Sequence, residues 1–182
     1  MLTTGTNFAR SWIGPRQMSH RPCTSVGAPR RDSTTDTVCR SSKLSGIYEH
    51  HTFHKRTPLV RGFDDVFYVP HSRYTSVSKE DIVNNEHLEI VAESDVAGPY
   101  LIIGDGGKNI FVTGHPEYDV LTLDQEYHRD LGKGLNPQIP VNYYPDNDPE
   151  KKPVKKWRCH ANTLYANWLN YYVYQLTPYK WE

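Results

Sequence analysis

The segment Ile110-Phe-Val-Thr-Gly-His-Pro-Glu-Tyr118 carries the clearest chemistry in the chain: an apolar run ends at Gly114 and at once presents His115 and Glu117. Two residues apart in an extended backbone, their side chains point the same way. Glu117 could then accept a hydrogen bond from one imidazole nitrogen, fixing the tautomer and leaving the other nitrogen as a general base. Pro116 between them limits backbone freedom. The plainer alternative is a histidine that ends a strand beside a solvated glutamate, and the pattern alone leaves both readings open. A dyad also needs a nucleophile, and no nearby Ser or Thr stands in an elbow of the GxSxG kind.

A second histidine cluster, Glu49-His50-His51-Thr-Phe-His54, would place His50 and His54 on one face of a helix, a spacing able to bind zinc. Gly46 before it and Pro58 after it disfavour a long helix, and no third ligand follows at a suitable spacing, so no metal site is expected. Lys151-Lys-Pro-Val-Lys-Lys156 is basic but adjoins Asp146, Asp148 and Glu150, which reads as a solvated loop. The three cysteines, Cys23, Cys39 and Cys159, lack CxxC spacing and suggest neither a disulfide framework nor a structural zinc site. A reducing, cytoplasmic setting is expected.

These residues need elements to hold them. Strands are expected near Val66 to Val69, Leu88 to Ala92, Tyr100 to Ile103 and Ile110 to Thr113, between turns rich in Gly, Pro, Asn and Asp. A helix follows at about Leu121 to Lys133, where Leu123, Tyr127 and Leu131 recur at intervals of four and Gly132 and Gly134 supply stop signals. A Pro- and Asp-rich loop leads to a second helix at about His160 to Gln175, with Leu164, Trp168, Tyr171 and Tyr172 as its buried stripe.

The 182 residues hold 21 basic and 21 acidic groups, so there is no excess positive charge to favour nucleic acid. No stretch approaches the roughly 18 to 20 apolar residues that a bilayer helix needs, and the first 20 residues have no apolar run of the kind a secretory signal requires. The balance conceals a seam: residues 1–42 hold six Arg, no Lys and two Asp, 6 − 2 = +4, leaving −4 for the remainder. The first part is rich in Ser and Thr, shows neither a period of 2 nor one of 3.6, and should not fold as a core element. It is also poor enough in acidic residues for a transit peptide, but Gly14, Pro15, Pro22 and Gly27 oppose an amphipathic helix.

From Lys43 onward the chain closely resembles the C-terminal half of the homoserine O-acyltransferases of methionine biosynthesis, the MetA-type family. The strings that carry the resemblance are KLSGIYEHH, RGFDDVFYVPHSRY, IFVTGHPEYD, NYYPDND and NWLNYYVYQLTPY, and they span about 140 residues. The resemblance implies an α/β fold, a class I glutamine amidotransferase-like (flavodoxin-like) sheet with flanking helices, present only as its C-terminal half in residues 43–182. It implies acyl transfer from acetyl-CoA or succinyl-CoA to L-homoserine through a cysteine thioester, with His115 as base and Glu117 orienting it. Acetyl is the expected donor. The same resemblance assigns substrate binding to Lys43, Ser72 and Arg129; an Arg suits the carboxylate of homoserine, which a guanidinium can clamp with two hydrogen bonds. Without it, these three read as a surface lysine, a turn serine and a helix arginine. Acyl-CoA enters as a co-substrate and no bound cofactor is expected; the related enzymes are dimeric, so the resemblance allows a homodimer, while the sequence itself leaves the oligomeric state open. A glutamine amidotransferase-like hydrolase is the sister alternative, against which KLSG, PHSRY and NYYPDND argue, and a non-catalytic remnant that binds a partner is another.

The resemblance also requires a cysteine on a strand-to-helix elbow before Lys43. Cys23, in His-Arg-Pro-Cys-Thr-Ser, has a proline directly before it and no apolar strand, and Cys39 fares no better. Codons for Leu2 to Arg40 can, however, be chosen so that the offset frame reads, without a stop, an apolar TLHIC entering CWGAQAG. That reading resembles the family immediately upstream of KLSG. Residues 1 to about 41 are therefore expected to be an out-of-frame translation, and the chain inactive for want of its nucleophile; a gene sequence without that offset reading would refute the idea.

Overall fold

The computed structural model describes residues 37–53 and 56–175, with side chains from Lys43 onward. Among the described residues, five strands form one sheet: β1 (Thr37–Thr52), β2 (Val66–Val77), β3 (Leu88–Ser94), β4 (Gly98–Gly104) and β5 (Asn109–Val112), in the order β2-β1-β3-β4-β5. All pairings between these five strands are antiparallel, and an isolated parallel bridge joins Gly46 of β1 to Val141. Three α-helices accompany the sheet among the described residues: α1 (Lys79–Val83), α2 (Thr122–Gly132) and α3 (Arg158–Asn167), the last running into a π-helical segment at Trp168–Tyr174.

The expected strands from Leu88, Tyr100 and Ile110 lie inside β3, β4 and β5, and that from Val66 opens the much longer β2. β1 is an addition. It crosses the seam at residue 42 and pairs along β2 from Thr37↔Val77 to His51↔Val66, with an irregularity between Cys39 and Leu44. Because His50 lies in this strand, the helical spacing that would have aligned it with His54 does not exist; His54 itself lies outside the described residues. At Gly46 the strand takes a φ of +144°, and a Cβ there would meet the Val141 carbonyl oxygen at 2.4 Å. Only glycine permits that approach, which lets Val141 accept from the Ile47 N–H at 2.8 Å and donate to the Ser45 carbonyl at 3.0 Å.

Two apolar clusters hold the sheet to its helices. Leu59, Phe67, Val69, Val91, Tyr100, Leu101, Leu164 and Tyr172 pack between the sheet, α3 and the π segment. Ile47, Leu123, Tyr143, Tyr144, Trp157 and Ala161 fix α2 against β1 and the loop before α3. Burying this much apolar surface is the main force that orders the elements.

The two helices differ from their expected faces. On α2, Leu123 is buried but Leu131 is 41% exposed, and the inward position one residue earlier is the buried Asp130. α2 thus turns a partly polar face inward, toward Lys43 of β1. On α3 and its extension, Leu164 and Tyr172 are buried as expected, whereas Trp168 and Tyr171 are half-buried at the margin of the core.

Candidate active site

β5 ends at Val112, and Gly114 then passes under β2 so closely that a Cβ on it would stand 2.7 Å from Val69 Cγ1 and 3.0 Å from the His71 ring. The His115 N–H donates to the Pro70 carbonyl at 2.8 Å, which ties the segment to β2. Residues 115–118 then form a turn closed by the Tyr118 N–H donating to the His115 carbonyl at 3.2 Å. His115 and Glu117 therefore meet through a turn with Pro116 at its second position, where proline is favoured, rather than through an extended backbone. The contact is the expected one. His115 Nδ1 lies 2.9 Å from Glu117 Oε1, the imidazole nearly buried and the carboxylate half-exposed.

Tyr118 stacks on the His115 ring, with centroids 4.2 Å apart and planes 15° from parallel. Its carbonyl accepts from Lys155 Nζ at 2.9 Å and from Trp157 Nε1 at 3.1 Å, so part of the basic loop supports the turn. Lys151, by contrast, pairs with Asp146 and Asp148 as a solvated loop would. Burial and then the Glu117 charge raise the Tyr165 phenol to about 12, and Tyr100 is also raised, by burial first and Glu117 last. Two protonated phenols thus lie in the field of Glu117.

The Tyr118 hydroxyl donates to Glu126 Oε1 at 3.0 Å and so joins the dyad to a second group of residues. Glu126 Oε2 accepts from Ser72 Oγ and, at 3.1 Å, from Lys43 Nζ. Lys43 also lies 3.5 Å from Asp130 Oδ2, and Asp130 Oδ1 accepts from Arg129 through Nε at 2.9 Å and Nη2 at 2.8 Å. The fold therefore brings together all five residues singled out in the sequence: Lys43 from β1, Ser72 from β2, Arg129 from α2, and His115 with Glu117 from the turn after β5. Burial pushes the Glu126 carboxyl up, but hydrogen bonds from Ser72, Lys43 and Tyr118 and the Lys43 charge outweigh it, leaving it below the usual range. Asp130 is likewise lowered: burial opposes this, and Arg129 and Lys43 overcome it. Both carboxylates are ionised at neutral pH and hold the cationic groups in place.

Sequence reading passed over Glu126, Asp130, Tyr118 and His71. Glu126, Arg129 and Asp130 stand three and four residues apart on α2, a spacing that puts them on neighbouring faces of one helix and was available as a signal. His50 and His71 face each other across β1 and β2 in the interior, with Nε2 atoms 3.1 Å apart. Burial lowers His50 to about 4, against the Tyr48 carbonyl, which raises it, and with help from Arg73 and His51. His71 is held well below the usual imidazole range by burial, then by His50, Arg73 and His115. Among the described residues no group of three His, Cys, Asp or Glu is arranged to hold a metal ion, no helix is long and apolar enough to cross a membrane, and Cys159 lies exposed on α3.

The family model described as homoserine O-succinyltransferase matches residues 32–179. A homoserine O-acetyltransferase of Lachnospira eligens is 64% identical over 137 residues, 75% of this chain and 44% of that protein. A homoserine O-succinyltransferase of Tolumonas auensis is 58% identical over 140 residues, 77% of this chain and 44% of its own length. The chain thus spans under half the length of these curated relatives. Among solved structures, a glutamine amidotransferase of Thermotoga maritima superimposes with a TM-score of 0.51 at 12% identity, covering 78% of this chain and 56% of that one, a likeness of fold.

Proposed function

Because the chain belongs to the homoserine O-succinyltransferase family, we propose that it carries the general-base and amino-acid-binding half of an acyltransferase that moves an acyl group from acyl-CoA to the hydroxyl of L-homoserine, a cytoplasmic step of L-methionine biosynthesis. The observation that carries this reading is the pairing of the His115–Glu117 contact at 2.9 Å with the Lys43, Ser72, Glu126 and Arg129 cluster, the two joined by Tyr118. With its Nδ1 proton held by Glu117, His115 keeps Nε2 free to take the homoserine hydroxyl proton as that oxygen attacks the acyl carbon of a cysteine thioester; the C–S bond then breaks and the sulfur leaves as thiolate. Glu117 stabilises the imidazolium that forms, the role a carboxylate plays in hydrolase triads.

Homoserine brings a carboxylate and an ammonium to this chemistry. Arg129, its side chain half-exposed, offers the carboxylate a two-pronged clamp and Lys43 a second cation. Glu126 fixes the Ser72 hydroxyl and the Lys43 ammonium, so both are oriented before substrate arrives. Both acyl donors are named among the relatives, and acetyl-CoA is our preferred one. On this reading the nucleophile is not among this chain's cysteines, and the chain by itself forms no acyl-enzyme.

Titration of the ¹⁵N-labelled chain with L-homoserine tests the binding half directly. Millimolar homoserine, the upper range of ordinary substrate constants, should move the amide signals of Ser72, Glu126 and Arg129, and D-homoserine should move them less. Signals unmoved by either enantiomer would overturn the assignment.

A further inference from the structure

One titratable assembly takes no part in the proposed chemistry: the buried imidazoles of His50 on β1 and His71 on β2. Their planes are 9° from parallel, their centroids 5.1 Å apart, and their Nε2 atoms face each other at 3.1 Å. Two ring nitrogens at that distance need one N–H and one bare lone pair. His50 Nδ1 lies 2.9 Å from the Tyr48 carbonyl oxygen, which can only accept, so Nδ1 carries the His50 proton. In a neutral ring, as burial requires, His50 Nε2 is then bare and His71 Nε2 is the donor. His71 Nδ1 is left as an acceptor and faces the Arg73 Nε–H at 3.4 Å. Arg73 is itself anchored on the Thr75 and Ala97 carbonyls and on Ser76 Oγ at 3.0 Å. Every proton in the chain from Arg73 to Tyr48 therefore runs one way.

The far side of this chain reaches the turn that bears His115. The carbon and nitrogen of the His71 ring edge stand 3.0 Å from the place a Gly114 Cβ would occupy, and the Pro70 carbonyl holds the His115 N–H. Three successive β2 residues, Val69, Pro70 and His71, thus form the floor under Gly114 and His115. Of the three, only His71 has polar ring atoms whose rotamer is set by a hydrogen-bonded partner, His50. We infer that His71 is a positioning residue for His115, held in place by the one-way hydrogen-bond chain from Arg73 through His71 and His50 to the Tyr48 carbonyl. The inference rests on the reading of His115 as the base of acyl transfer; it is tested without turnover, so the two can fail separately.

The experiment is nitrogen NMR of the full chain with ¹⁵N-labelled histidine, comparing wild type with His71→Gln, whose amide can still donate to His50, and His71→Phe, which fills the space and cannot. In the wild type at neutral pH, His50 should be protonated on Nδ1 and His71 on Nε2; the opposite tautomer at either ring overturns the inference, whatever the variants do. Solvent exchange of the His115 Nδ1 proton on Glu117 should speed up about tenfold or more in His71→Phe and stay within about twofold of wild type in His71→Gln, while backbone amides of β4 and β5 keep their protection. An unchanged Nδ1 proton in His71→Phe, or one that is lost together with the β4–β5 amide protection, overturns it, because the first denies any coupling and the second makes His71 a general support of the sheet. If these results hold and acyl transfer proves indifferent to His115, the positioning stands and the functional reading falls.

Discussion

Lowering the pH from 7 to 5 should cost the fold a measurable part of its stability, and His50 sets a calculable share of it. Folded, His50 is lowered from 6.5 to about 4, so between those values the unfolded chain takes up a proton that the native state refuses. The unfolded state binds more protons in this window, and stability therefore falls as the pH falls. Each pH unit is worth about 1.4 kcal/mol for one such group, or about 2 kcal/mol from pH 6.5 to 5 and about 3 kcal/mol over the whole window. His71, lowered for the same principal cause, acts in the same direction. Glu126 and Asp130, whose carboxyls are lowered by their partners, add a further loss only below the ordinary carboxylate values of 4.5 and 3.8. Urea unfolding followed by the fluorescence of the buried Trp157, at pH 7, 6 and 5, would measure this for wild type and His50→Gln. The variant should start less stable at pH 7 and lose about 2 kcal/mol less than wild type on the way to pH 5. Parallel curves for the two proteins, or a wild-type curve flat over this range, would refute the neutral buried pair.

Other outcomes follow from the site and its supports. Glu117→Gln keeps a hydrogen-bonding group beside His115 but removes the charge that stabilises the imidazolium, and in an acyl-transferring form of the protein it should lower kcat by about 10²- to 10⁴-fold with little change in the KM for homoserine. Gly46→Ala drives a Cβ into the Val141 carbonyl at 2.4 Å and forces a positive φ on alanine; thermal unfolding should show a loss of about 3 kcal/mol or more, near 10 °C in Tm. Incubation of the 182-residue chain with acetyl-CoA or succinyl-CoA should leave its intact mass unchanged, whereas a stable added acyl group on Cys23, Cys39 or Cys159 would show that a nucleophile is present after all.

The parts of the fold that could be read from the sequence are those whose residues alternate or recur cleanly. β3, β4 and β5 are short apolar runs between turn residues, and α2 and α3 show their helical period. β1 escaped because it is buried on both faces: Leu44, Gly46, Ile47, Tyr48 and His50 all lie inside, which erases the alternation, and a polar histidine stands at a core position. The switch to a π segment at Trp168 was not read from the sequence: the wider winding shifts the helical period, so Tyr172 is buried while Trp168 and Tyr171 stand at the core margin. In the candidate site, the contact of His115 with Glu117 was legible from two residues of spacing, although the turn that joins them was not. Lys43, Ser72 and Arg129 were legible only through the resemblance, because nothing local marks a lysine, a serine and an arginine 29 and 57 positions apart as neighbours. Glu126 and Tyr118, which connect them, take their meaning from contacts across four elements, the kind of information that only the folded chain holds.

The most direct test of the central claim is turnover in a chimera. Residues 43–182 would replace the matching C-terminal segment of the Lachnospira eligens homoserine O-acetyltransferase, which is 64% identical over 137 residues, and acyl transfer from acetyl-CoA to L-homoserine would be measured with and without His115→Asn. Turnover within about tenfold of the parent, lost by about 10³-fold in the His115 variant, is the expected result. A folded chimera that does not acylate homoserine, or one that works equally well without His115, would contradict the account.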